Sequence, residues 1–212
     1  ARLEQLVLPG GLPRVFAGLE PTPASPVTGP NAAAVNAAAA AGQASTVQIE
    51  GSGCGGVVEG SGFVVAPGLV ATNAHVLPER LDTANMEALV IVLPGDGQTG
   101  TVRTASVAAT DRGRDLAVLK LGAGPALPAL RLAASGGVRE GQEIAFTGFP
   151  IGNVLGMTPV THRGIVSAIT PIGIPQANAR DLNPALVRRL ANDVFRVYQL
   201  DATAYPGNSG SP

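Results

Sequence analysis

Glycine and proline are the feature that most constrains the fold of this chain. The 212 residues include 28 glycines and 18 prolines, a combined share about double that of an ordinary globular protein. Both residues interrupt helices and favour turns, so the chain is expected to form many short strands rather than a helical bundle. Hydrophobic residues make up 45% of the sequence, which is enough for a folded core.

The first segment differs in composition from the rest. Residues 1–45 hold six prolines and an alanine-rich stretch. We expect a Pro/Ala-rich linker that lies on a surface and ends in a short helix over 32–44, capped by Asn31, since alanine loses little entropy in a helix.

Two sets of β-type segments follow. The first predicts an N-terminal barrel over 46–125; its six strands are Thr46–Glu50, Gly62–Ala66, Leu69–Asn73, Leu89–Leu93, Thr101–Ala109 and Leu116–Leu121, with turns at Pro67-Gly68 and 94–97 and a loop at 122–129. The second predicts a C-terminal barrel over 126–212; its strands are Glu143–Thr147, Val160–Ile169 and Phe195–Asp201, with a helix over 183–190.

Charge and composition exclude several functions. With 14 basic and 15 acidic residues the net charge is −1, and only 3% of residues are aromatic, so we expect no nucleic-acid partner. No apolar stretch approaches the ~20 residues of a membrane span. The single cysteine, Cys54, is either a small buried hydrophobe or the partner of a cysteine outside the chain.

Three residues at the edges of predicted strands carry the chemistry. They are His75, Asp115 and Ser209, and the last lies in Gly207-Asn208-Ser209-Gly210-Ser211-Pro212. A serine hydroxyl becomes a nucleophile when imidazole takes its proton, and a carboxylate orients that imidazole. The flanking glycines allow the N–H groups of Gly207 and Ser209 to form an oxyanion hole. Each residue alone would usually be structural, but all three together indicate acyl transfer without a metal or cofactor.

The motifs resemble those of bacterial trypsin-like serine proteases, which share the chymotrypsin double β-barrel. The resemblance rests on TNAHV around His75, RDLAVL around Asp115, and the segment around Ser209. Within that family, GNSGSP is similar to V8-like glutamyl endopeptidases, while GSGFVVA and GIVSAI are similar to HtrA proteins. The proline-rich start followed by Cys54 resembles actinobacterial membrane-anchored periplasmic proteases.

The resemblance implies an all-β fold with two six-stranded antiparallel barrels and a polypeptide substrate. Ser209 would be the nucleophile, His75 the general base and acid, and Asp115 the orienting carboxylate. Thr203 would form the floor of the P1 pocket and disfavour Arg or Lys there. Asn208 is uncharged, so activation by a newly cut N-terminus is not expected. The location implied is periplasmic or secreted, with a membrane tether upstream of residue 1.

Two other classes of protein could carry a serine, a histidine and an aspartate of this kind. In an α/β-hydrolase the aspartate and histidine would follow the serine, which the chain order excludes. A protease-like binding module remains an alternative, because only three strands of the second barrel precede Pro212. We therefore expect the second barrel to be incomplete in this chain. Residues or a chain outside this sequence would complete it, and the protein would be inactive without them. His162 is expected to be a satisfied polar residue on a strand.

Overall fold

The structure is a computed structural model that describes six segments of the chain. They are residues 32–53, 56–78, 89–93, 101–150, 158–171 and 195–212. Five sequence predictions lie outside the described residues: the linker before residue 32, the Asn31 cap, the environment of Cys54, the turn at 94–97 and the helix over 183–190.

One α-helix and nine β-strands make up the regular structure of these segments. The helix α1 is Ala32–Ser45, and two single-turn 3₁₀ helices are Ala74–Val76 and Ser135–Gly137. The strands are β1 Thr46–Gly53, β2 Gly56–Ala66, β3 Leu69–Thr72, β4 Leu89–Leu93, β5 Thr101–Asp111, β6 Leu116–Leu121, β7 Glu143–Gly148, β8 Val160–Pro171 and β9 Arg196–Ala202.

The first six strands close into an antiparallel barrel in the order β1-β2-β3-β6-β5-β4, which confirms the predicted N-terminal barrel. The strands are found where the apolar runs predicted them, and only their ends differ. The largest difference is in β2, which begins at Gly56 instead of Gly62 because the preceding residues continue the pairing with β1 as far as Gly53↔Gly56. The turn predicted at Pro67-Gly68 is present, with Gly68 at φ +73°.

Alternating side chains fill the barrel. Ile49, Val64, Val70, Ile91 and Leu119, from five different strands, are fully buried. Burying each such side chain contributes about 1.5–3 kcal/mol relative to leaving it exposed. This core makes the barrel a rigid support for the residues at its ends.

The second group of strands forms an antiparallel sheet in the order β7-β8-β9. Within the segments the structure describes, the fold is therefore all-β, with one closed barrel and a partial second sheet, as expected for the chymotrypsin-like architecture. The proposed domain boundaries, 1–45, 46–125 and 126–212, stay predictions.

The helix α1 is confirmed and is one residue longer than predicted. It contacts β7 and β8 of the second sheet, and its Gly42 is buried. The Thr46 hydroxyl donates to the Gly42 carbonyl at 2.6 Å, which ties the end of the helix to the start of the barrel. The helix is thus packed against both groups of strands.

Candidate active site

The pairing of β3 with β6 brings two distant parts of the chain to one end of the barrel. These strands run antiparallel with Thr72 opposite Ala117. Residues that follow β3 therefore lie beside residues that precede β6. His75 is in the first group and Asp115 in the second.

His75 and Asp115 are joined by two hydrogen bonds. The His75 Nδ1 lies 2.7 Å from Asp115 Oδ2, and the His75 backbone N–H donates to Asp115 Oδ1 at 2.9 Å. An ionised carboxylate only accepts hydrogen bonds, so with such a partner a neutral imidazole carries its proton on Nδ1 and keeps a lone pair on Nε2. The His75 side chain is 58% exposed, so the ring faces solvent on this side of the barrel.

The backbone of Asp115 is also held in place. Its φ is +56°, a left-handed conformation that aspartate tolerates better than most residues. Its carbonyl accepts hydrogen bonds from Asn73 Nδ2 at 2.9 Å and from the Ala74 N–H at 3.2 Å. Sequence reasoning missed the role of Asn73, which it predicted as the last residue of the third strand; in the structure that strand ends at Thr72.

An ion pair stabilises the turn that leads to Asp115. Arg114 Nη1 lies 2.9 Å from Asp111 Oδ2, and the Arg114 N–H donates to Asp111 Oδ1 at 3.0 Å. These hydrogen bonds from Arg114 lower the pKa of the Asp111 carboxyl. The turn that immediately precedes Asp115 is thereby fixed.

Residues 205–212, which we term the nucleophile loop, carry Ser209. Gly207 and Gly210 have φ of +95° and +87°, conformations that favour glycine. The Asn208 N–H donates to the Tyr205 carbonyl and the Ser211 N–H to the Asn208 carbonyl. Among the residues that the structure describes, the N–H groups of Gly207 and Ser209 have no acceptor, and no hydrogen bond joins Ser209 to His75.

The barrel contacts this loop through Ser61 of β2, which lies in the GSGFVVA motif but to which sequence reasoning assigned no role. The Ser61 N–H donates to the Ser209 carbonyl at 2.8 Å, and its hydroxyl donates to the Gly207 carbonyl at 2.7 Å. Ser61 is flanked by Gly60 and Gly62, a weak local sign of close backbone packing.

His162 contacts the same loop from β8. Its Nε2 lies 3.3 Å from Asn208 Nδ2, and its ring stacks on Phe146 with centroids 4.9 Å apart. Asn208 is only 8% exposed. This environment agrees with the expectation that His162 is a satisfied polar residue on a strand.

A cavity of about 620 Å³ lies between the nucleophile loop and the second sheet. Its walls include Ser209 and apolar side chains such as Phe146, Val166 and Leu200. Thr203 is exposed just after β9 and is not among the lining residues, so its role in specificity remains a prediction. In the described part of the chain, no group of three or more His, Cys, Asp or Glu residues is arranged to hold a metal ion.

Comparisons with known proteins agree on one family. Residues 60–212 match the model of the trypsin-like peptidase domain. The chain is 32% identical over 217 aligned residues to serine protease Rv3671c of Mycobacterium tuberculosis H37Rv, covering 100% of this chain and 47% of the relative. It is 33% identical over 154 residues to a probable periplasmic serine endoprotease, DegP-like, of Rickettsia prowazekii, covering 72% of this chain and 25% of the relative.

The structural comparison points the same way. The active form of the Rv3671c protease from M. tuberculosis matches with a TM-score of 0.58 at 26% identity, covering 91% of this chain and 75% of that one. The chain spans about half the length of the Rv3671c relative and about a quarter of the length of the DegP-like relative. None of the helices in the described segments has the length and apolar character needed to cross a membrane.

Proposed function

Because the chain belongs to the trypsin-like peptidase family, we propose that it is a serine endopeptidase that cleaves polypeptides through an acyl-enzyme on Ser209. The observation that carries this proposal is the pairing of His75 with Asp115. Both carboxylate oxygens are used, so the ring orientation and the protonated nitrogen are fixed before any substrate binds.

The proposed reaction follows from this pairing. His75 Nε2 takes the proton of the Ser209 hydroxyl while Oγ bonds to the peptide carbonyl carbon, and the carbonyl electrons move to oxygen. The imidazolium is stabilised by Asp115 and returns the proton to the amine as the C–N bond breaks. Water then attacks the ester by the same proton transfers, which releases the acid and restores Ser209.

The oxyanion of each tetrahedral intermediate would be bound by the N–H groups of Gly207 and Ser209. The absence of an acceptor for these two groups in the described part of the chain supports this assignment. Removing one such donor typically costs about 10²–10³ in rate. The reaction uses no metal or cofactor.

The remaining parts of the proposal rest on the family. The uncharged Thr203 would form the floor of the P1 pocket, so uncharged P1 side chains would be preferred over Arg and Lys. A periplasmic or secreted location is supported by the DegP-like relative, which is named periplasmic. The membrane tether upstream of residue 1 and the partner of Cys54 remain predictions of the same kind.

A second function is a binding module that keeps the protease fold without turnover. One observation favours it: within the described residues, Ser209 donates no hydrogen bond to His75. A nucleophile without its base would be an ordinary serine.

Labelling with a fluorophosphonate separates the two functions. In an active protease the Ser209 oxygen bonds to phosphorus and fluoride leaves, so the full-length protein should be labelled at Ser209 and should hydrolyse a peptide library. Ser209→Ala should lose the label and on the order of 10⁶ in turnover.

Two results would contradict the protease. One is an unlabelled but folded full-length protein, which would favour the binding module. The other is a Ser209→Ala variant that retains more than a tenth of the peptidase activity, because the triad could not then be the source of turnover.

A further inference from the structure

Ser61 is a buried residue of the barrel that forms hydrogen bonds to the nucleophile loop. It is fully buried in β2, and each of its polar groups has a partner. Its carbonyl accepts from the Thr72 hydroxyl at 2.7 Å, and its N–H and hydroxyl both donate to the nucleophile loop.

The two donated hydrogen bonds reach the two residues of the proposed oxyanion hole. Ser61 holds the carbonyls of Gly207 and Ser209 at 2.7 and 2.8 Å. The peptide that carries the Ser209 N–H lies between these two fixed peptide planes, and its own carbonyl, that of Asn208, accepts from Ser211. Three consecutive carbonyls are therefore held, which sets the direction of the Ser209 N–H.

The orientation of the Ser61 hydroxyl is itself fixed by the second sheet. The Phe149 N–H, just beyond β7, donates to Ser61 Oγ at 2.9 Å. Since this contact occupies a lone pair, the hydroxyl proton is directed to the Gly207 carbonyl. The approach is close on both sides: a Cβ on Gly148 would lie 2.9 Å from Ser61 Oγ, and a Cβ on Gly210 would collide with the Ser61 carbonyl.

We propose that Ser61 is a positioning residue that holds the Gly207–Ser209 backbone in the geometry of the oxyanion hole. The inference rests on the proposed function for its catalytic meaning, but the loop geometry can be tested separately. Ser61 acts through the loop and does not contact the reacting atoms.

The test compares Ser61→Ala with Thr72→Val in the full-length protein. Ser61→Ala removes the hydroxyl contacts to Gly207 and Phe149 and keeps the backbone bond to Ser209. Thr72→Val removes a buried hydroxyl bond to the same Ser61 and leaves both hydrogen bonds from Ser61 to the loop in place. We measure amide hydrogen exchange at Asn208 and Ser211, kcat and KM on a peptide substrate, and thermal stability.

For Ser61→Ala we expect exchange at both amides to accelerate at least tenfold and kcat to fall by about 10–100-fold with KM nearly unchanged, since oxyanion binding acts on the transition state. Thr72→Val should change kcat less than about threefold. Ser61→Thr, which restores a hydroxyl, should recover part of the lost kcat.

Unchanged amide exchange in a folded Ser61→Ala variant would overturn the proposal, as would equal kcat losses in the two variants. If Ser61→Ala does not fold, Ser61→Thr takes its place. A Ser61→Thr variant whose loop amides exchange as slowly as in the parent, but whose kcat falls tenfold or more, would also overturn the proposal. If the parent has no peptidase activity but Ser61→Ala still exchanges the loop amides faster than the parent, Ser61 is supported as the positioning residue of the loop and the proposed reaction is rejected.

Discussion

At the scale of single residues, Asp115 combines a side-chain role with a backbone one. Its carboxylate accepts from the ring and the N–H of His75, while its carbonyl accepts from Asn73 and Ala74. Its left-handed φ of +56° places both groups toward β3. A substitution that keeps the backbone and changes only the carboxylate can separate the two roles.

Asp115→Asn is that substitution, because asparagine also tolerates a left-handed φ. Its amide nitrogen would face His75 Nδ1 and favour the wrong tautomer, so we expect kcat to fall by about 10³–10⁴ with little change in KM or fold. Steady-state kinetics and circular dichroism measure the two effects.

Asp111→Asn is the matched control, since Asp111 pairs with Arg114 in the same turn. It should keep at least half of the activity. Equal losses in the two variants would mean that the turn, and not the carboxylate beside His75, limits turnover.

At the scale of elements, the register of β1 and β2 sets two like charges opposite each other. Glu50 pairs directly with Glu59. Burial, and secondarily the charge of Glu59, raise the pKa of the Glu50 carboxyl above its ordinary value of 4.5. The folded state therefore binds more protons than the unfolded state just above that value, so stability falls as pH rises through this window.

Glu50→Gln should remove this dependence. It keeps an oxygen to accept from Gln48 and should stabilise the protein by roughly 0.5 kcal/mol at pH 8, with no gain at pH 4. Urea unfolding at both pH values measures the difference.

Glu59→Gln tests the smaller of the two causes, so it should remove less of the pH dependence than Glu50→Gln does. A Glu50→Gln variant that is less stable than the parent at pH 8 would contradict this. It would show that the hydrogen bond from Gln48 to the charged carboxylate stabilises the protein more than the burial and repulsion of that charge destabilise it.

The strands also show which features of the fold and the site a sequence pattern can predict. The apolar runs between turn residues predicted all nine described strands, because alternation and turn propensity are local properties. The strong motifs likewise predicted His75 and Asp115 as partners. The contacts of Ser61 with Gly207, Ser209 and Phe149 were not predicted, since they depend on the packing of a strand against a loop far along the chain. The glycines beside Ser61 indicate close backbone packing but not the partner.

At the scale of the whole molecule, α1 connects the barrel to the second sheet. Its last turn is bonded to the barrel through Thr46, and its Gln43 donates to Thr161 of β8 at 3.3 Å. Gly42 lies against β7, where an added Cβ would be 2.8 Å from Thr147 Oγ1. The helix thus braces the two groups of strands.

Gly42→Val should destabilise the protein by about 1–3 kcal/mol, because the added side chain would collide with the buried Thr147. Ala38→Val, at an exposed position of the same helix, should cost only the propensity difference of about 0.5 kcal/mol. Thermal and urea unfolding measure both values, and similar costs at the two positions would mean that α1 does not brace the sheet.

The order of strands places His75 and Asp115 on the barrel, whereas Ser209 lies on the loop that follows the second sheet. His75 follows β3 and Asp115 precedes the neighbouring strand β6, so a shear between the two groups of strands leaves their two hydrogen bonds intact. Such a shear would instead act on the nucleophile loop and on the two hydrogen bonds that Ser61 donates to it. A state reached in this way would keep the His75–Asp115 pair and would differ in the position of the nucleophile loop.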